Sequence, residues 1–270
     1  MIRRKVLILG GGDIGSTVAH VLFRGGLRVL ISERAGSPHA RRGMAFTDAL
    51  FDGCATLEGV EARCLGDVAA VEDCWEAAAA VPIVTLPESL LAAAIRFDVI
   101  VDATMKRNRV PLDLRQQAGL AIGLGPGYVP GQNCHVAIET QWGDALGQVL
   151  YDRPAAERSG GPRALAGVTR ARFAIAPCAG IWQTTAVLGA DVLAGAPVGQ
   201  LGEHIVRAPI AGQLRGLARA GVEVLAGQRL VEVDPRSEPQ IIGLGERPLA
   251  IAIGVAEALA SAAHPPPEAR

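Results

Sequence analysis

The chain has 270 residues, a formal net charge of −1, a pI near 6.5 and a hydrophobic fraction of 50%. That balance excludes a nucleic-acid-binding surface, which needs clustered basic side chains to displace counterions from phosphates. No stretch reaches the roughly 18 uncharged apolar residues of a membrane span, and the length favours two domains over one large core.

Five cysteines, Cys54, Cys64, Cys74, Cys134 and Cys178, form no CxxC pair, so neither a zinc site nor a thioredoxin-type motif is signalled. The odd count suits reduced thiols. The opening "MIRRKVLILGGGDIG" puts three glycines and an aspartate where a signal peptide needs continued apolar residues. These features predict a cytoplasmic protein. Basic charge is almost all arginine, with Lys5 and Lys106 the two lysines of the chain.

"KVLILG" is a short apolar run ending in glycine, the pattern of a buried parallel strand. Gly10, Gly12 and Gly15 then supply GxGxxG, and a helical pattern runs through "STVAHVLFRGG" to a Gly25-Gly26 stop. Such glycines make the tight turn, admit a pyrophosphate to the backbone and let the helix lie on the strand, while helix amides hold the anion. The alternative is a glycine-rich turn that holds nothing. "RVLISE" predicts a second strand ending in Glu33, at about the spacing where a carboxylate meets an adenosine ribose. Arg34 beside it leaves NAD and NADP both open.

"GVEARCL" and "PIVTL" predict strands flanking an alanine-rich helix, "DVAAVEDCWEAAAA". "FDVIVDAT" is another buried strand and delivers Asp102 to its C-terminal end, the edge where open α/β sheets bind ligands. Lys106 follows in a polar cluster and is a candidate for neutralising an anion. "LAIGLGPGYVPGQNCHVAIET" predicts strand, loop and strand, and its Gly125-Pro126-Gly127 turn exposes backbone amides at the same edge. Cys134, His135 and Glu139 lack a further His or Cys at ligand spacing, so no metal site is predicted there.

"DRPAAERSGGPRALAG" reads as a linker. Beyond it, Ala176–Val198 and Ala208–Leu230 align at a fixed offset of 32 with ten identities in 23 positions. Each copy predicts strand, turn, strand, and neither buries a hydrophobic face alone, so the two must pack together with approximate two-fold symmetry. The pattern resembles the barrel-sandwich hybrid of biotinyl and lipoyl domains. In those carriers the connecting hairpin holds a modified lysine, whereas the connector here, Gly199 to Arg207, has none. "RPLAIAIGVAEALASAA" predicts a helix returning to the first domain.

The order GGGDIG, "RRGMAFTDALFDG", "VDATMKRN", "IGLGPGYVPG", "AIETQWGDALGQVLY", the AP-x-x-G repeats and "EVDPR" resembles the YqeB-type selenium-dependent molybdenum hydroxylase accessory proteins over most of the chain. That family is linked to maturation of the hydroxylases' cofactor, in company with the XdhC/CoxI accessory proteins. The resemblance marks Gly10, Gly12, Asp13, Gly15, Arg41, Arg42, Asp102, Gly125 to Gly127, Glu139 and Thr140. Where the family has Arg-Gly-His after the Glu-Thr pair, this chain has Trp142, Gly143 and Asp144, so two polar side chains are absent.

The expected fold is α/β: a Rossmann-like parallel sheet over 1–150, a small all-β barrel-sandwich hybrid over 168–236, and a C-terminal segment and helix over 238–263. The expected function is an accessory factor that binds a nucleotide-bearing ligand, the molybdenum cofactor or its molybdopterin dinucleotide form, for a molybdenum hydroxylase client. Gly10, Gly12, Asp13, Gly15, Glu33, Arg41, Arg42, Gly125 and Gly127 would bind it, with Asp102 and Lys106 at the reacting end. The alternatives are an NAD(P)-dependent oxidoreductase, with Asp102 or Lys106 moving a proton, and a non-catalytic module that docks a client or forms a homo-oligomer through the barrel.

Overall fold

A computed structural model of the chain describes residues 3–105, 111–157 and 161–263. β1 (Lys5–Leu9) is buried on both faces because its side chains alternate between two cores. Val6 and Ile8 join the core under α1 (Asp13–Arg24), whereas Leu7 and Leu9 join the core that contains Trp75 and Leu91. β2 (Arg28–Ser32) follows. A short helix α2 (Ala49–Asp52) leads into an edge hairpin of β3 (Cys54–Leu57) and β4 (Val60–Cys64). α3 (Val68–Ala77) is capped by Asp67, whose carboxylate accepts from the Ala70 amide. β5 (Val81–Val84), α4 (Glu88–Ala94), β6 (Val99–Asp102), β7 (Leu120–Leu124), β8 (Val136–Ile138) and β9 (Val149–Leu150) complete the unit.

The sheet order is β3-β4-β5-β2-β1-β6-β7-β8-β9. The seven strands from β4 to β8 are parallel, and β3 and β9 close the two edges antiparallel. From β1 the chain first builds outward through β2 and then returns to place β6 on the other side. The switch point of this α/β sheet therefore lies between β1 and β6. β3 and α4 were not expected from the sequence.

The second unit consists of β10 (Phe173–Ile175), β11 (Gly180–Gln183), β12 (Asp191–Val192), β13 (Pro197–Leu201), β14 (His204–Arg207), β15 (Gly212–Leu217), β16 (Glu223–Val224) and β17 (Arg229–Asp234). They form two four-stranded antiparallel sheets, β10-β17-β15-β12 and β14-β13-β11-β16, around one core that includes Trp182, Leu201, Leu214 and Val231. The offset of 32 carries the first residue of β11 onto that of β15, of β12 onto β16, and of β13 onto β17. Exchanging the copies, with β10 taken onto β14, converts one sheet into the other. Each copy thus lends strands to both sheets, and neither alone completes the shared core.

The connector Gly199 to Arg207 is itself part of a hairpin: β13 runs into it, and it returns as β14 through the Gly202-Glu203 turn. The stretch read as a linker also folds back on the first unit, where Glu157 and Gly161 to Ala166 wall a cavity. α5 (Glu246–Ala263) returns to lie along α1, and at Gly254 a Cβ would stand 2.0 Å from the Gly147 carbonyl oxygen. No helix among the described residues is long and apolar enough to cross a membrane.

Candidate functional site

The strand register gathers three separate pieces of sequence. Leu9 of β1 pairs with Asp102 of β6, and Asp102 pairs with Gly123 of β7. The glycine turn, the acid-ended strand and the Gly125–Gly127 loop therefore emerge side by side from one carboxyl edge. A cavity of about 1680 Å³ opens above it, lined from this side by Asp13, His39, Asp102, Thr104, Gly127 and Tyr128. Its volume exceeds the roughly 300–1,000 Å³ of a pocket for a drug-sized molecule.

Packing explains two of the turn's glycines. Gly10 has φ of +94°, and a Cβ on it would stand 2.9 Å from the Thr104 Cα. A Cβ on Gly15 would stand 1.9 Å from the Gly10 carbonyl oxygen, so α1 lies on the turn through a bare backbone. Gly12 is different. The nearest atoms to a Cβ there are Cε1 and Nδ1 of His39, both at 3.3 Å. The imidazole stands over Gly12, the N-cap of α1, which does not itself line the cavity. The buried Nε2 of His39 has no hydrogen-bond partner among the described residues. Burial pushes the imidazole pKa down, the nearby Arg41 charge adds to that, and Asp13 partly offsets both.

Glu33 braces the turn, accepting from the amides of Gly11 at 2.8 Å and Arg34 at 2.7 Å, and is not one of the cavity-lining residues. Asp13 sits in the first turn of α1 and receives Arg41 Nη1 at 2.9 Å. Burial raises the Asp13 pKa, but the Arg41 guanidinium outweighs it and holds the carboxyl at about 2. Arg42, expected to contact an anion, does not line the cavity. Its guanidinium is held by both oxygens of Asp48, at 2.8 and 3.0 Å for Nε, and this pairing directs it away.

At the neighbouring strand ends, Asp102 Oδ1 accepts from the Thr104 amide at 2.8 Å and the Thr104 hydroxyl at 2.6 Å. Burial, together with the negative charge of the nearby Asp102 carboxylate, pushes the Tyr128 phenol pKa well above its ordinary value. Tyr128 lies over Gly123, where a Cβ would stand 2.0 Å from the ring. Gly125 is pressed against Thr140, and Gly127 against Pro111. Glu139 is buried and accepts from the amides of Thr140, Gln141 and Ala156, tying together two segments near the cavity. Lys106 lies outside the described residues.

The opposite wall belongs to the second unit and was missed from the sequence. Glu232, fully buried on β17, receives Arg41 at 2.7 Å, Arg172 at 3.1 Å and Arg215 at 3.2 Å. Burial opposes its ionisation, but Arg41, Arg215 and Arg172 together bring its pKa to about 2. Asp234, also fully buried, pairs with Arg236 at 2.6 Å and Arg215 at 3.8 Å. The guanidinium carbons of Arg172 and Arg229 lie 4.4 and 3.7 Å from the Phe173 ring centroid.

No protein family model matches the chain. It is similar to the uncharacterized protein YqeB of Escherichia coli strain K12, with 35% identity over 260 residues that cover 96% of this chain and 48% of that protein. The chain thus spans about half the length of the curated relative it matches. Among solved structures, the product-bound ectoine utilization protein EutE (DoeB) of Ruegeria pomeroyi aligns with 12% identity and a TM-score of 0.26, covering 87% of this chain and 86% of that one. A succinylglutamate desuccinylase/aspartoacylase of Rhodobacter sphaeroides aligns with 14% identity and a TM-score of 0.27, covering 87% of each chain.

Proposed function

We propose that the cavity over the carboxyl edge of the parallel sheet binds an elongated, anionic, nucleotide-bearing ligand, and that the chain acts as an accessory factor in the maturation of a molybdenum hydroxylase. The observation that carries this reading is the convergence of Asp13 at the start of α1, Asp102 and the Gly127–Tyr128 loop on one cavity whose far wall is arginine-rich; Gly10, Gly12, Gly15 and Gly125 do not line it. A ligand with a nucleotide at one end and a second charged group at the other suits such a cleft. The molybdopterin dinucleotide has that character and is the cargo we favour. In this reading the second unit is a barrel-sandwich hybrid that serves as a wall of the site and carries no prosthetic group. The resemblance to YqeB-type accessory proteins supplies the pathway.

Calorimetric titration of the purified chain with NAD, NADP and molybdopterin dinucleotide tests the proposal. The dinucleotide cofactor should bind at least about tenfold tighter than either nicotinamide cofactor, a margin worth roughly 1.4 kcal/mol. Preferential binding of NAD or NADP would turn the reading into that of an oxidoreductase, and binding of none would leave a docking module.

A further inference from the structure

We infer that the wall contributed by the second unit is a subsite for a phosphomonoester or diphosphate group, built by Arg170, Arg172, Arg215, Arg229 and Arg236. Among the described residues, that unit lines the cavity with these five arginines, Phe173, Ile175 and Gln228, and with no acid. Its acids Glu232 and Asp234 sit fully buried behind the arginines. They do not neutralise the wall, because Glu232 is shared by Arg41, Arg172 and Arg215, and Asp234 by Arg215 and Arg236. Burial lowers the proton affinity of Arg215, and the neighbouring Arg41 and Arg236 lower it further, as expected where positive charge is in surplus.

The geometry also favours an oxyanion over a lone halide or carboxylate. Arg172 and Arg229 are held over the Phe173 ring, and Arg172 is further fixed by the carbonyl oxygens of Val168 and Thr169 at 3.0 and 2.6 Å. Arg172 is buried with Nε on Glu232 and Nη1 on these carbonyls, so it serves to fix the charge of the wall in place, and guanidiniums so fixed lose little freedom when a phosphate binds. Arg170 is exposed at the rim and takes part in no ion pair among the described residues. The subsite shares the cavity with Asp13, Asp102 and the Gly127–Tyr128 loop, so a dinucleotide held there would have its phosphates on this wall. This inference names an anchor for the ligand proposed above and rests on that reading for the ligand's other end.

The test is calorimetry on the full chain with three probes: inorganic pyrophosphate, ADP and adenosine. Pyrophosphate and ADP should bind, and adenosine should be weaker by at least about tenfold. Arg170→Glu, on an exposed side chain, should keep the melting temperature and weaken pyrophosphate by about tenfold or more. Arg207→Glu makes the same charge change on β14 outside the cavity and should leave pyrophosphate binding unaltered. Equal effects of the two variants, or no pyrophosphate binding by the unmodified chain, would overturn the subsite. If ADP binds and responds to Gly12→Val but not to Arg170→Glu, the nucleotide reading stands and the subsite falls. If pyrophosphate responds to Arg170→Glu while ADP gains nothing over it and ignores Gly12→Val, the subsite stands and the nucleotide reading falls.

Discussion

Arg41 reaches Glu232 across the boundary between the two units, with Nε 2.7 Å from Oε2 and Nη2 3.1 Å from Oε1. Its remaining nitrogen, Nη1, donates to Asp13 in the first turn of the glycine-turn helix. One guanidinium therefore fixes the far wall of the cavity relative to the sheet edge, and Arg172 and Arg215 depend on the same carboxylate.

Replacing that carboxylate should expose the dependence. Glu232→Gln leaves Arg41, Arg172 and Arg215 beside a neutral buried amide, and loss of one partner from a buried charge cluster costs about 3–5 kcal/mol. Urea denaturation at pH 7 measures it. The folded pKa of Glu232 is depressed from 4.5 to about 2, so its contribution is complete above pH 4.5 and disappears as pH falls toward 2. Wild type should lose stability over that window, and Glu232→Gln should lose less over the same range. A variant as stable as wild type at pH 7 would mean the cluster does not join the units.

The glycines of the turn should separate by packing. Gly15→Ala puts a methyl 1.9 Å from a backbone oxygen that cannot retreat, and should cost at least about 3 kcal/mol or prevent folding. Gly12→Ala meets the His39 ring at 3.3 Å, the movable end of a side chain, and should fold with a loss under about 1 kcal/mol. Thermal melts of the two variants decide it, and similar losses for both would contradict the geometry.

His39 gives a test by titration. Burial lowers its pKa below 6.5, and Asp13 is the largest influence in the opposite direction. The His39 Hε1 resonance should therefore titrate below pH 6.5, and Asp13→Asn should move the midpoint lower still. Because the folded state disfavours the imidazolium, His39 contributes stability above pH 6.5 that is lost as pH falls below it. A midpoint that rises in Asp13→Asn would show that the ring does not face that carboxylate.

The contrast between Glu232 and β1 shows what the sequence could reveal. Strands buried on both faces are continuous apolar runs, so "KVLIL" and "VIVD" were legible locally, as was the repeat, whose identities mark shared turns. The arginine wall was hidden because one charged residue in a half-buried strand looks like a solvated face. A signal did exist in the departures between the copies. At the same offset, Gln183 and Pro197 of the first copy, and Gln200 and Gly202 just beyond it, stand opposite Arg215, Arg229, Glu232 and Asp234, so charge appears where one copy meets the other unit. β3 is short and half-exposed, which leaves little periodicity to read. His39 over Gly12 and Tyr128 over Gly123 are non-local contacts whose only trace in sequence is a missing Cβ.

The Asp102–Tyr128 pair offers the most direct check on the sheet edge, because the chain has two tyrosines and they differ sharply. Tyr151 is 54% exposed, whereas Tyr128 is 4% exposed, and burial and the Asp102 charge push its pKa well above 10. In Tyr151→Phe, which leaves Tyr128 as the one tyrosine of the chain, absorbance at about 295 nm should therefore show no phenolate as pH passes through about 10, where an unperturbed tyrosine ionises. Asp102→Asn removes the negative charge that disfavours a second phenolate, so the Tyr128 transition should move down, with burial still holding it above 10. A phenolate forming near pH 10 in folded Tyr151→Phe would mean that Tyr128 is not packed on Gly123 and that the loop does not line the cavity as described. If the pair titrates as expected, molybdopterin dinucleotide titrated into Asp102→Asn separates its roles. Unchanged affinity would limit Asp102 to holding Thr104 and Tyr128, and a loss of about tenfold or more would place its charge against the ligand.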